Sequence, residues 1–252
     1  MHPALRMPLS DAAIARLERA TADAVAPAQV LEHGDWLLSL DHSTIGRAKS
    51  AVPLRHHGRL ATDVAPIAQH YRDNGLEPHF RVPDLPALEP VHRALRALGL
   101  EPTQPTWVQV ACVDDVLALP TGVVAQVHLR PTPAWGEVYT APGFDPVDGE
   151  HRRRALSRSP HVVYAHVQQD GAPVAAGTAA LSQGWASIHG MRTVTAARGQ
   201  GLASAILVAL ARHAQAQGYR ELFLQVEAAN AVAQSLYRRA GFQNAWRYHY
   251  WR

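Results

Sequence analysis

The segment Arg198-Gly199-Gln200-Gly201-Leu202-Ala203-Ser204 sits between a strand-like run and a long apolar stretch. In that stretch Leu202, Ile206, Leu210 and Ala214 recur at near-helical spacing, and Gly218 closes the pattern. Successive backbone N–H groups at the start of a helix make a concave anion site, reinforced by the helix dipole. Gly199 and Gly201 let the backbone approach a phosphate without a Cβ in the way, and small Ala203 and Ser204 keep the first turn open. Arg198 can add a charge-assisted bond to a phosphate oxygen. Gly-x-Gly also occurs in ordinary tight turns, so the loop alone does not assign a function. It is not a Walker loop, because no Gly-Lys-Ser/Thr follows. Nor does it match a dinucleotide fingerprint, which needs a third glycine at its set spacing as well as a downstream acid.

A second pattern follows downstream: Val226-Glu227-x-x-Asn230-x-x-Ala233-x-x-Leu236-Tyr237-x-x-x-Gly241-Phe242. Seven residues make almost two helical turns, so Asn230 and Tyr237 share a helix face. Asn230 suits an N-cap, and Tyr237 alone would pass as a packed aromatic. With the loop upstream, residues 124–252 resemble the GNAT superfamily of N-acetyltransferases. Arg198, Gly201 and Ala203 meet that family's phosphate motif, Gln/Arg-x-x-Gly-x-Gly/Ala, and the later pattern is equally typical of it. One departure is Thr195, where the family usually has proline.

The resemblance implies acetyl-CoA as cosubstrate. Its pyrophosphate would sit on Arg198, Gly199, Gln200, Gly201, Leu202, Ala203 and Ser204. Its pantetheine arm would lie against the backbone near Met191, Thr193 and Val194, with a bond from Asn230. Tyr237 would protonate the departing thiolate, a role suited to a phenol whose pKa of about 10 keeps it protonated at neutral pH. The acceptor would be an amine of a small molecule, amino acid or peptide, attacking directly in a ternary complex. A non-catalytic acyl-CoA sensor or interaction module stays open as the alternative.

An ammonium must lose a proton before it attacks. His189 is the first candidate base, expected on the same strand face as Met191 and Thr193, with an ordinary pKa of about 6.5. Its position resembles that of a catalytic histidine in some arylalkylamine-acetylating relatives. Glu227, at the end of the adjacent strand, is the second candidate; His161 and His166 are weaker choices.

Outward from these motifs the chain alternates helix and strand. Helices are expected over 10–24 (with Ser10 as cap), 63–74, 89–98, around 135–139, around 149–157, 201–217 and 230–240. Strands are expected over 36–40, 45–54, 79–82, 106–113, 123–129, 161–168, 173–181, 185–194, 221–226 and 246–251. The fold class is therefore α/β or α+β, a mixed sheet with helices on its faces.

Gly46, Gly75 and Gly99 are spaced like Gly190, Gly218 and Gly241, with helix, strand, helix in the same order between them. The run Arg96-Ala97-Leu98-Gly99-Leu100 aligns with Arg238-Arg239-Ala240-Gly241-Phe242. This points to an internal duplication. Residues 1–114 are expected to form a degenerate GNAT-like half without a glycine loop, since Pro53-Leu54-Arg55-His56-His57-Gly58 occupies that region. Residues 115–252 would be the catalytic half.

At 252 residues, 47% hydrophobic and 18% charged, the chain reads as an ordinary globular protein. Its net charge is +3, carried almost wholly by arginine, Lys49 being the single lysine. The cluster His151-Arg152-Arg153-Arg154 reads as a solvated helix face, so no nucleic-acid partner is expected. The lone Cys112, expected in the core, excludes internal disulfides and fits a reducing compartment. No leader is evident in the first ten residues, and no apolar run is long enough to span a bilayer. A cytoplasmic, membrane-free protein is expected, with a homodimer left open. His56-His57 lacks ligand-spaced companions, so no metal is expected.

Overall fold

The computed structural model describes residues 9–252; most of the stretch read for a leader lies outside them. Ser10 accepts from the Ala13 N–H and starts α1 (Asp11–Val25), whose Ile14 and Leu17 are buried. The chain then runs through β1 (Gln29–His33), β2 (Trp36–Leu40), β3 (Ala51–Pro53), α2 (Val64–Asp73), β4 (Phe80–Pro83), α3 (Glu89–Ala97) and β5 (Pro102–Cys112). Next come α4 (Val113–Leu117), β6 (Gln126–His128), α5 (Pro133–Glu137), α6 (Pro146–Arg158), β7 (Val162–Gln169), β8 (Ala172–Ser182) and β9 (Trp185–Thr193). The last elements are α7 (Leu202–Ala216), β10 (Glu221–Glu227), α8 (Ala231–Arg239) and β11 (Gln243–Trp251).

The eleven strands of the described residues join one mixed sheet in the order β1-β2-β3-β4-β11-β5-β10-β9-β8-β7-β6. Two neighbours are parallel, β3 with β4 and β9 with β10; each pair is linked through a helix, α2 and α7 respectively. The segment β3-α2-β4-α3-β5 thus repeats the order of β9-α7-β10-α8-β11. The closing strands interleave: β11 lies antiparallel between β4 and β5, and β5 lies antiparallel between β11 and β10. The end of each half therefore completes the sheet of the other.

Alternation along the strands decides which helices cover which face. Val163, Ala165 and Val167 of β7 pack with α7 and Leu119, while Val162 and Tyr164 pack with Trp135, Val138 and Leu156 from the α5–α6 region. Phe80 and Val82 of β4 pack under α2 and α3, whereas Arg81 between them points to α1. Helices α2, α3, α4, α7 and α8 thus cover one face and α1, α5 and α6 the other, giving three layers. No helix among the described residues is long and apolar enough to cross a membrane.

Four sequence expectations need correction. Residues 45–54 form a short 3-10 turn at Gly46–Ala48 before the three-residue β3, not one strand. Strand β1 and helix α4 were not anticipated. Cys112 is only half-buried, at the point where β5 turns into α4.

Candidate active site

Strand β9 leads into a 3-10 turn, Thr195–Ala197, after which Arg198 is extended and Gly199 and Gly201 take φ of +79° and +76°. Gly201 is the N-cap of α7 and offers no side-chain bond, and no acid stands in the first turn. The first N–H groups of α7 therefore keep their donors and the positive end of the dipole free for an anion. They open on a cavity of about 580 Å³ lined by Met191, Arg192, Thr193, Arg198, Gly199, Gly201, Leu202, Ala203, Ser204 and Asn230, among others. Val194 and Gln200 do not line it. The Val194 N–H donates to the Val174 carbonyl, and the Gln200 side chain accepts from Gln169 at 2.8 Å.

The cavity continues into a wedge in the sheet. Strands β9 and β10 share three register pairs, ending at Leu224 with Ile188. Beyond that pair β10 stays with β5 to Glu227, and β9 stays with β8 to Thr193, so the two strands part. The register of β9 also slips between Thr178/His189 and Ala176/Arg192, with Gly190 at φ +62°. This β-bulge overturns the expectation that His189 and Met191 share a face. The His189 ring meets Phe223 on the α1 side, whereas Met191 packs on the α7 side against Gly177.

A second cavity, of about 260 Å³, lies on the other side of the wedge. Met191, Asn230, Ala233 and Tyr237 line both cavities, which therefore meet at these four residues. Asn230 caps α8 through Oδ1, which accepts from the Ala233 N–H at 3.1 Å. Tyr237 is 7% exposed, edge-on to Phe242, and burial pushes its pKa up to about 12. His189 is 3% exposed, and both its ring nitrogens lack a partner among the described residues. Burial, then the charges of Arg47 and Arg81, hold its pKa well below the ordinary value, so the near-neutral pKa assumed from sequence does not apply. Glu227 is exposed and accepts from Gln104 Nε2 at 2.7 Å. His166 stacks on His128 out at β7, and neither it nor His161 reaches either cavity.

Sequence reasoning missed what the first half brings. Arg47, Lys49 and His79 line the smaller cavity, as does Arg152 from the cluster read as a solvated face. Arg153 and Arg154 of that cluster do sit at the surface, paired with Glu150. Arg192 was also missed: it bridges Asp148 at 2.9 Å and the Tyr139 carbonyl at 2.8 Å and stacks on Phe144. No local pattern signals these residues, because the contacts that place them are long-range. His56 and His57 face Trp246 and Asp11 respectively. Among the described residues no group of three or more His, Cys, Asp or Glu could hold a metal ion.

The family model described as "Probable histone acetyltransferase Rv0428c C-terminal" matches residues 11–251, nearly the whole chain. The chain belongs to this family, within the GNAT superfamily. The GNAT architecture is matched along its length by a GCN5-related N-acetyltransferase from Kribbella flavida, with TM-score 0.68, 16% identity and 94% of each chain covered. A tandem GNAT protein from the clavulanic acid biosynthesis pathway matches with TM-score 0.61, 13% identity, and 97% of this chain and 96% of that one covered. A conserved protein of unknown function from Staphylococcus epidermidis gives TM-score 0.67, 13% identity, and 90% and 94% coverage. At these identities the likeness shows the fold, here a GNAT fold of mixed α/β type. No curated protein matches the sequence.

Proposed function

We propose that this GNAT member transfers an acetyl group from acetyl-CoA to the amine of a small acceptor by direct attack in a ternary complex. The observation that carries the reading is the meeting of two cavities at Tyr237, Asn230, Ala233 and Met191, one floored by an uncapped helix start and the other holding His189 and Glu227. The larger cavity fits a diphosphate carrier, because its floor consists of free N–H groups with no acid among them. When bound, that carrier would supply the acyl group as a thioester.

The chain's own residues divide the remaining work. The start of α7 and Arg198 bind the diphosphate, and the wedge-side backbone of Met191 and Thr193 aligns the arm. Asn230 spends Oδ1 on its cap, which leaves its Nδ2 to donate to the arm. Tyr237 holds a proton on Oη where the two cavities join, and a pKa near 12 keeps it there until a thiolate needs it. His189 stays neutral and offers an unpaired nitrogen to the acceptor, though its low pKa weakens its pull. Glu227 lines the same cavity and opens to solvent, so it carries the proton onward. We also read residues 1–114 as the degenerate half and 115–252 as the catalytic half. The single cysteine is in keeping with a cytoplasmic setting.

The test is thiol release from acetyl-CoA with a panel of amines, beside calorimetry of acetyl-CoA binding. Tyr237→Phe should lower kcat by about a hundredfold, the usual scale of general-acid catalysis, with acetyl-CoA affinity within about threefold of the parent. Binding without turnover of any amine would favour a sensor instead, and absence of binding would end the assignment.

A further inference from the structure

The smaller cavity is built from both halves of the chain, and its charge is lopsided. Arg47, Lys49, Arg152 and Arg252 line it against a single acidic side chain, Glu227. Arg152 is neutralised by Asp148 at 2.7 Å. Among the described residues Arg47, Lys49 and Arg252 form no salt bridge, and the carboxylates near residues 43–47 are engaged elsewhere. Glu18 is held by Arg81 at 2.6 Å, Asp41 by Arg158 at 3.0 Å, and Asp148 by Arg152 and Arg192. The Arg47 Nε is shut off from solvent without an acceptor. A cationic donor left unmatched beside a cavity is costly unless the cavity's occupant supplies the acceptor.

The histidines register the same field. Burial, then the charges of Lys49 and Arg252, hold His79 down to about 4; Arg47 and Arg81 act likewise on His189. Both rings are therefore uncharged at neutral pH and do not offset the cations; the positive excess belongs to arginine and lysine alone.

Size narrows the occupant further. About 260 Å³ lies below the roughly 300–1,000 Å³ of pockets that take drug-sized ligands. It suits a molecule of amino-acid dimensions. A protein lysine would bring an ammonium into a cavity of like charge with nothing on its chain to pair with the free cations.

Resting on the acetyltransferase reading above, we propose that the acceptor is a small zwitterion. Its amine faces Glu227 and His189, and its own anionic group, a carboxylate or phosphate, is held by Arg47, Lys49 and Arg252. The second half then performs the transfer, while the cations of the first half and of Arg252 choose the substrate. Lysine side chains of folded or unfolded proteins are disfavoured.

The experiment is acetyl-CoA thiol release at neutral pH with matched acceptors. They are the free amino acids against their carboxamides, phosphoethanolamine against ethanolamine, and an unfolded lysine-rich peptide. The best acceptor should be anionic, with kcat/KM at least about tenfold above its neutral partner, as charge-assisted bonds to arginine and lysine require. If the amino acids lead, the anion is a carboxylate; if phosphoethanolamine leads, it is a phosphate. Arg47→Met and Lys49→Met should each pull the anionic-to-neutral ratio towards one, with acetyl-CoA affinity by calorimetry reporting that the fold is intact. A neutral partner or the peptide matching the best anionic acceptor would overturn the proposal. So would failure of every anionic acceptor in a protein that binds acetyl-CoA. Absence of acetyl-CoA binding would instead bring down the acetyltransferase reading, and this inference with it.

Discussion

The Tyr139 hydroxyl donates a 2.7 Å hydrogen bond to the carbonyl of Gly190, fastening the end of the α5 region to the bulge at the mouth of the wedge. A Cβ at position 190 would lie 2.5 Å from the Tyr139 hydroxyl oxygen and 2.7 Å from Leu156 Cδ1, on a backbone with φ +62°. Gly190→Ala therefore combines left-handed strain of about 1–2 kcal/mol with overpacking of about 1–3 kcal/mol. The expected result is a melting temperature lower by several degrees, with turnover falling further as the Met191 backbone shifts. A melting curve and activity both matching the parent would mean that the bulge does not position the site.

The centre of the sheet carries an ion pair on its α1 face. Glu18 and Arg81 approach to 2.6 Å with side chains 1% and 2% exposed. Burial pushes the Glu18 carboxyl up, and the guanidinium opposes that push. Glu18→Ala strands a buried positive charge and should cost about 3–5 kcal/mol in urea unfolding. Glu18→Leu combined with Arg81→Met should recover most of that loss, because the pair's own net worth is small once desolvation is counted. A single variant that loses under about 1 kcal/mol would mean that water reaches Arg81.

The loop and the capping motifs were legible because each is local. Ser10 and Asn230 cap their helices, and Gly99 and Gly241 take the left-handed backbone that ends α3 and α8. What failed depends on distant partners. Gly46 interrupts an expected strand because it lies flat on the Tyr250 ring, where a Cβ would come within 2.8 Å. Strand β1 escaped because it is largely exposed, pairs among the described residues with β2 alone and so shows no apolar alternation. Strict alternation put His189 beside Met191, and one bulge reversed it. The interleaving of β5 and β11, which brings Arg252 to the smaller cavity, has no local signature, because a strand's sequence does not name its neighbour.

Buried histidines make stability depend on pH. His79 is 6% exposed, and its pKa is held at about 4 in the folded chain. Its unfolded value is near 6.5, so between those values the unfolded state binds more protons, and stability falls with falling pH. The contribution is complete above about pH 6.5 and is lost as pH drops towards 4, about 3 kcal/mol at most for this residue. His189 acts in the same direction. Urea midpoints should decline across that window, and His79→Gln should flatten the decline by about one proton's worth of slope. A midpoint independent of pH there would mean that the ring is hydrated and charged in the folded chain.

Ser204 separates anion binding from folding at the start of α7. It stands in the first turn and lines the larger cavity. A carboxylate there complements the helix dipole, which stabilises a helix by about 0.3–1 kcal/mol. The same carboxylate occupies the field that a diphosphate needs. Ser204→Asp should therefore hold or slightly raise the melting temperature of the free protein while weakening acetyl-CoA binding by about tenfold or more, since one added charge opposes a doubly anionic group at close range. The penalty should ease with added salt, which screens the repulsion. The advantage of acetyl-CoA over acetylpantetheine, which lacks the diphosphate, should shrink in step. Loss of affinity together with a lower melting temperature would mean that the substitution had damaged the turn itself, and unchanged affinity would place the diphosphate somewhere other than the Gly201 helix.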